Sequence, residues 1–161
     1  MNYQFPNRPR RLRDHPVLNP MMTELRLSGN DLVLPLFVTE ERDEPVAIPS
    51  MPEQFRWPVE RLVEKIIEWR SLGLRAFALF PHLDASKKSE DGKEFLNPDS
   101  LVYRAARRIK EEADDIALIG DLALDPYTSH GHDGILSDDG RVDNDLTVEA
   151  LCKASTLAAE A

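Results

Sequence analysis

The stretch IALIGDLALDPYTSHGHDG, running from Ile116 to Gly134, decides how the rest of the chain is read. It starts as an apolar run and ends in carboxylates and imidazoles, the pattern of a buried strand whose carboxyl end opens onto a polar loop. Read as a strand from Ile116 to Asp125, side chains two apart share a face. Asp121, Ala123 and Asp125 then point one way and Leu122 and Leu124 the other. Pro126 ends the pairing. Two acids at the carboxyl end of a parallel strand, followed by His130, His132 and Asp133, form a polar constellation that burial alone does not select.

Upstream, strand and helix signals alternate. Leu32 to Val38 is a continuous apolar run, as in a strand covered on both faces, and Pro35 within it marks an irregularity or an edge. Val59, Leu62, Val63, Ile66 and Ile67 have helical spacing, with Pro58 placed to start that helix and Gly73 to stop it. Arg75 to Phe80 predicts the second strand. Asn97 is placed to cap the next helix with Pro98 at its first position, and Leu101, Val102, Ala105, Ala106 and Ile109 form its apolar stripe. A last helix, entered near Asn144 and Asp145, is expected to bury Leu146, Leu151, Ala154 and Ala158. The order βαβαβα implies a parallel sheet with right-handed crossovers, either doubly wound or part of a (β/α)8 barrel. Three strands cannot close a barrel, so the outer edges of strands one and three are expected to be open, and a missing continuation is expected after Ala161. The loops 39–56 and 81–96 are long enough to be functional loops on the carboxyl face.

Composition narrows the function classes. A chain of 161 residues with 42% hydrophobic and 30% charged residues has ordinary globular usage. Its net charge of −9 leaves no basic surplus to neutralise phosphates, which argues against nucleic acid as a partner. No apolar run approaches the roughly 20 residues needed to cross a bilayer, so no membrane partner is expected. Cys152 is the sole cysteine, which rules out an internal disulfide and fits a reducing compartment. Residues 1–13 carry arginines and no acid, but Pro6 and Pro9 interrupt any amphipathic helix, so a docking arm is preferred to a transit peptide.

Among the polar residues, Asp121 stands inside the apolar end of a strand, where a charge needs a partner. A lone acid there usually makes a salt bridge or caps a turn; the company of Asp125, His130, His132 and Asp133 favours function. Carboxylates suit hard ions such as Mg²⁺, whereas thiolates select zinc. His130 and His132 lie in a glycine-bracketed loop. Holding that loop by hydrogen bonds is the preferred reading, with His132 kept as a second-rank site residue. Tyr127, Thr128 and Ser129 are candidates for lining a polar pocket, while Pro126-Tyr127 reads equally well as packing plus a turn. Ser137 to Arg141 weakly resembles a cation loop, but Asp139-Gly140 between apolar residues is a stronger turn signal. His15, His82 and the Lys87-Lys88 pair are expected to be solvated.

Five ordered segments carry a family resemblance: Arg8 to Arg13, Leu32 to Val38 with Ile48 to Pro52, Ala78 to Pro81, Asn97 to Asp99, and Gly120 to Gly134. Together they resemble the first half of the porphobilinogen synthase family, the 5-aminolevulinate dehydratases of tetrapyrrole synthesis. The resemblance implies an extended N-terminal oligomerisation arm over 1–30. It is followed over 31–161 by the first three βα units of a (β/α)8 TIM barrel. It implies a lyase that condenses two molecules of 5-aminolevulinate to porphobilinogen, homo-oligomeric (octamer or hexamer), in the cytoplasm or a plastid. In that family the aspartate matching Asp121 lies in the substrate site near the catalytic lysines; His132 and Ser129 are ranked beside it as catalytic candidates. The zinc-using branch has cysteines at the positions matching Ala123, Asp125 and Asp133. None is present here, so the chain resembles the aspartate-rich magnesium branch. Asp125 and Asp133 are its metal candidates, and whether they touch a metal or only substrate and water stays open. The two Schiff-base lysines lie on later strands. Lys65, Lys87, Lys88, Lys93, Lys110 and Lys153 all fall in expected helices or loops, so the isolated chain is expected to be inactive. The alternatives are a non-catalytic truncated fragment that binds intact subunits, and a stand-alone Asp-based metal hydrolase.

Overall fold

A computed structural model of the protein describes residues 10–161. Arg8, Pro9 and the remainder of 1–9, part of the expected arm, lie outside the described residues. The arm continues as two single-turn helices, α1 (Arg11–Asp14) and α2 (Leu18–Met21), neither of which has a buried residue. Then come β1 (Val33–Thr39), β2 (Val46–Ala47), β3 (Phe55–Pro58), α3 (Val59–Ser71), β4 (Ala76–His82), α4 (Leu101–Glu112), β5 (Ala117–Gly120) and α5 (Asn144–Glu160).

The sheet order is β2-β3-β1-β4-β5. β1 runs parallel to β4 over its whole length, from Val33↔Ala76 to Thr39↔His82, and β5 runs parallel to β4 from Ala76↔Ala117 to Leu79↔Gly120. One face of this sheet carries the core: Leu36, Val38, Phe77 and Leu79 pack with Leu62 and Ile66 of α3 and with Leu101, Ala105 and Ile109 of α4. The opposite face carries Val33, Pro35 and Phe37 opposite Ala76, Ala78 and Phe80, and Val33 there is 52% exposed. Of the two covered faces expected for β1, the described residues cover one. Helices cover one side only, and burial along β1 alternates with the two-residue period of the strand.

The loop expected over 39–56 contains strands. β3 pairs with the carboxyl half of β1, Phe37↔Arg56 to Thr39↔Pro58, so the expectation of an open edge along all of strand one is corrected. Among the described residues only the first half of β1 lacks a neighbour on that side, and Pro35 stands in that half, where a missing N–H costs no ladder bond with a second neighbour. α3 starts at Val59, directly after Pro58, and is followed by Gly73 at φ 99°, as expected. Gly29, at the root of the arm, lies so close to this turn that a Cβ would meet the Gly73 carbonyl oxygen at 2.1 Å.

One boundary differs from expectation. α4 begins at Leu101, because Asn97 to Ser100 close a turn of their own, with the Ser100 N–H donating to the Asn97 carbonyl at 2.9 Å. On α5, Asp143 is the cap, accepting from the Leu146 N–H; Leu146 is 48% exposed, while Thr147, Ala150 and Ala154 are buried. The turn at Asp139-Gly140 forms as expected, between the bridged residues Leu136 and Val142.

Candidate active site

The largest correction falls on the segment from Ile116 to Asp125. β5 ends at Gly120 rather than at Asp125, because β4 beyond Leu79 pairs with β1 alone. Asp121 to Ala123 are irregular. At Leu124 the chain turns inward, with the Tyr127 and Thr128 N–H groups donating to its carbonyl at 2.9 and 3.0 Å. Strand alternation therefore does not set the faces here: Leu122 is 42% exposed and Leu124 is fully buried. The turn, not the pleat, brings the acids together. Desolvation raises the Asp121 carboxyl above the usual carboxylate range, and the charges of Asp125 and then Asp133 push it further up. Asp133 is held by the Leu124 N–H, which donates to its carboxylate at 2.6 Å. Asp121 also lines a cavity of ≈ 370 Å³ between β5, α4 and α5, together with Lys110, Val102, Ile119 and Ala158.

Between these acids the loop is anchored by packing and by a neighbouring loop. Tyr127 is 1% exposed and stacks on Phe95 with ring centroids 4.7 Å apart, which settles it as packing rather than pocket lining. Burial raises the Tyr127 phenol strongly. Tyr103 of α4 lies beneath, pushed up to about 12 by burial, its hydroxyl donating to the Phe95 carbonyl. Thr128 is buried and its hydroxyl donates to the His132 carbonyl at 2.9 Å. Ser129 is exposed, and its N–H donates to the Ser89 carbonyl. His132 is exposed, and its N–H donates to His130 Nδ1 at 3.1 Å. His130 Nε2 lies 3.0 Å from the Glu90 carbonyl. The loop-holding role expected of a histidine thus falls on His130.

Sequence reasoning missed Ser89 to Gly92, the segment that pins this loop. Its signal was the turn pattern Ser-Glu-Asp-Gly: Ser89 Oγ donates to Asp91 at 2.6 Å, and Gly92 sits at φ 62°, where a Cβ would meet Leu124 at 2.9 Å. It also missed the ion pairs on the carboxyl face. Burial alone pushes the Glu40 carboxyl up, but hydrogen bonds from Lys87 and Arg104 outweigh it and hold the carboxyl below its ordinary value. His82 Nε2 lies 3.1 Å from Glu41. Lys87 and His82 are therefore paired rather than freely solvated. All six lysines lie outside the strands. Among the described residues, no three His, Cys, Asp or Glu side chains are grouped to hold a metal ion, and Cys152 is exposed on α5.

The family model for delta-aminolevulinic acid dehydratase matches residues 6–161. The chain belongs to the delta-aminolevulinic acid dehydratase family. Relatives in that family include the chloroplastic dehydratase of Physcomitrium patens, 39% identical over 98% of this chain and 36% of its own length. The dehydratase of Bradyrhizobium diazoefficiens is 40% identical over 96% of this chain and 43% of its own. The dehydratase (porphobilinogen synthase) of Toxoplasma gondii, solved with its reaction product porphobilinogen, superposes with a TM-score of 0.86 at 42% identity. That match covers 97% of this chain and 44% of the solved one. The chain thus spans less than half the length of these dehydratases, and its sheet is the first part of their TIM barrel.

Proposed function

We propose that this chain forms the first part of a porphobilinogen synthase, which condenses two molecules of 5-aminolevulinate to porphobilinogen. The observation that carries this reading is the superposition over nearly the whole chain on an enzyme solved with that product, at 42% identity. Asp121 directly follows the third parallel strand, at its carboxyl end, where a barrel keeps its chemistry. Its role is to stabilise cationic intermediates on the substrate amine, with Ser129 and His132 on the same loop orienting the substrate. The Schiff-base nucleophiles come from outside these residues, since Lys65, Lys110 and Lys153 stand on helices and Lys87, Lys88 and Lys93 in the second loop.

We assign magnesium rather than zinc to the site. Asp125 and Asp133 offer carboxylate oxygens, Ala123 offers no ligand and none of the three is a thiolate; a hard ion that keeps most of its waters needs only one or two carboxylates. The arm is assigned to homo-oligomer assembly, because Val17, Met21, Met22, Leu25 and Leu27 are each more than half exposed. No helix among the described residues is long and apolar enough to cross a membrane. We place the chain in the cytoplasm, or in a plastid as the names of its plant relatives say of theirs.

The test is a fusion of this chain to the remaining part of the Toxoplasma enzyme. It is expected to make porphobilinogen, to be stimulated by Mg²⁺ and to ignore zinc-specific chelation. Asp121→Ala in the fusion is expected to lower kcat by about 100-fold or more while assembly persists. A correctly assembled fusion that makes no product overturns the assignment. The isolated chain, treated with 5-aminolevulinate and borohydride, is expected to keep its mass.

A further inference from the structure

Glu40 and Glu41, consecutive carboxylates after β1, part company. Glu40 turns to Arg104 in the helix layer and to Lys87. Glu41 turns to His82, the last residue of β4, whose Nε2 lies 3.1 Å from its Oε1. The ladder between β1 and β4 runs to its final pair, Thr39↔His82, so His82 shares a face with Ala76, Ala78 and Phe80. That is the face without helices. Phe77 and Leu79 carry the helix-side core, while the Phe80 ring meets Phe37 of β1 with centroids 5.9 Å apart. In the TIM barrel of the family this face is the interior, and its carboxyl end is the mouth.

Glu41 is fixed in this place by its own backbone. Its N–H donates at 3.3 Å to Oγ1 of Thr39, the register partner of His82, and Thr39 is 1% exposed. The Glu41 carboxylate only accepts, so Nε2 of His82 is the donor, and in the neutral ring Nδ1 is the acceptor. The two side chains stay within reach of a ligand, at 33% and 35% exposure. The charges nearby in the chain are acidic or already engaged: Asp84 stands two positions after His82, and Lys87, the first lysine of that loop, is committed to Glu40. Asp121 follows β5, which pairs with β4. The ends of the adjacent strands β1, β4 and β5 thus bring Glu41, His82 and Asp121 to one mouth, a set of acceptors that suits an ammonium group.

Resting on the reading of this chain as the first part of a porphobilinogen synthase, we propose that His82, oriented by Glu41, is a substrate-binding residue of the barrel mouth: its Nδ1 accepts a hydrogen bond from the amine of 5-aminolevulinate and so selects substrates that carry one. Phe37 and Phe80, one pleat below, give the carbon chain of the substrate an apolar floor.

The test separates the amine from the rest of the substrate. 5-Aminopentanoate keeps the amine and the carboxylate and lacks the ketone, so it forms no Schiff base; pentanoate lacks the amine as well. Binding of each to the fusion with the remaining part of the Toxoplasma enzyme is measured by calorimetry, with thermal unfolding as the control for the fold. His82→Leu is expected to weaken 5-aminopentanoate roughly ten- to hundredfold, the loss of one hydrogen bond from a charged donor, and to leave pentanoate within about twofold of the parent. His82→Asn, whose amide oxygen takes the place of Nδ1, is expected to recover most of that loss, and Glu41→Ala to weaken 5-aminopentanoate less than His82→Leu does. A His82→Leu variant that loses both ligands equally shows a structural histidine and overturns the proposal, as does one that loses neither. A His82→Asn variant no better than His82→Leu overturns it too. Neither ligand is turned over, so the two readings fail separately: an assembled fusion that makes no porphobilinogen overturns the assignment of the reaction, whereas a productive fusion whose amine recognition ignores His82 overturns this inference alone.

Discussion

The first two barrel strands and the third are built from similar apolar sequence, yet different forces hold them. β1 and β4 share a seven-residue parallel ladder, and their helix-facing side chains lie under α3 and α4 with almost no exposure. Among the described residues β5 has four paired residues and one neighbouring strand, and its Ile119 is 45% exposed. The loop beyond β5 is fixed by Leu124 and Tyr127, the latter packing on Phe95, by backbone hydrogen bonds with Ser89, and by the His130 ring at the Glu90 carbonyl. A ladder with helices over it makes a rigid platform. A short strand whose continuation is gripped by a neighbouring loop leaves the carboxylates of Asp121, Asp125 and Asp133 exposed.

The comparison breaks most severely if the platform itself is hollowed. Phe77 is fully buried at its centre, and Phe77→Ala is expected to cost about 3–5 kcal/mol in urea unfolding. A loss under about 1 kcal/mol would show that the platform is no more tightly packed than the loop. Next in size is the root of the arm. Gly29→Ala drives a methyl group into the Gly73 carbonyl and is expected to cost about 1–3 kcal/mol, with strand contacts otherwise retained. An Ala variant as stable as the parent would show that the arm root can lift away from the α3–β4 turn.

The smallest effect sharpens the loop side. Because its folded pKa is raised, Asp121 holds a proton in the folded state at pH values where the unfolded chain has lost it. Stability therefore falls as pH rises from the ordinary carboxylate value through the raised one, and the penalty persists at neutral pH. Asp121→Asn is expected to be slightly more stable than the parent at neutral pH and equal to it below the ordinary carboxylate range. Its exposure keeps the gain small. The two unfolding curves are compared at both pH values; a variant less stable at neutral pH would show that the carboxylate is satisfied rather than crowded.

α3 was readable because Pro58 and Gly73 bracket an apolar stripe of period 3.6, and both ends hold to within a residue or two. The strands β2 and β3 were hidden in a presumed loop: four residues with Arg56 and Pro58 among them carry no apolar run, and only the register against Phe37 to Thr39 makes them strand. The family was legible from five short segments, and the acids were legible as a group. Their spatial logic was not, since alternation over Asp121 to Asp125 presumed a partner strand that β4 does not provide beyond Leu79.

By itself, then, the sequence determined the alternation of elements, the limits of α3 set by proline and glycine, the family, and the carboxylates after the third strand. These depend on local backbone preference and on periodicity, which a linear string records. Tertiary structure alone decided where β5 stops, that Leu124 rather than Leu122 is buried, that Glu40 and Glu41 bind Lys87, Arg104 and His82, and that His130 bridges two loops. Each of these depends on contacts between residues distant in the chain, and neither spacing nor propensity encodes which distant carbonyl a ring nitrogen will find.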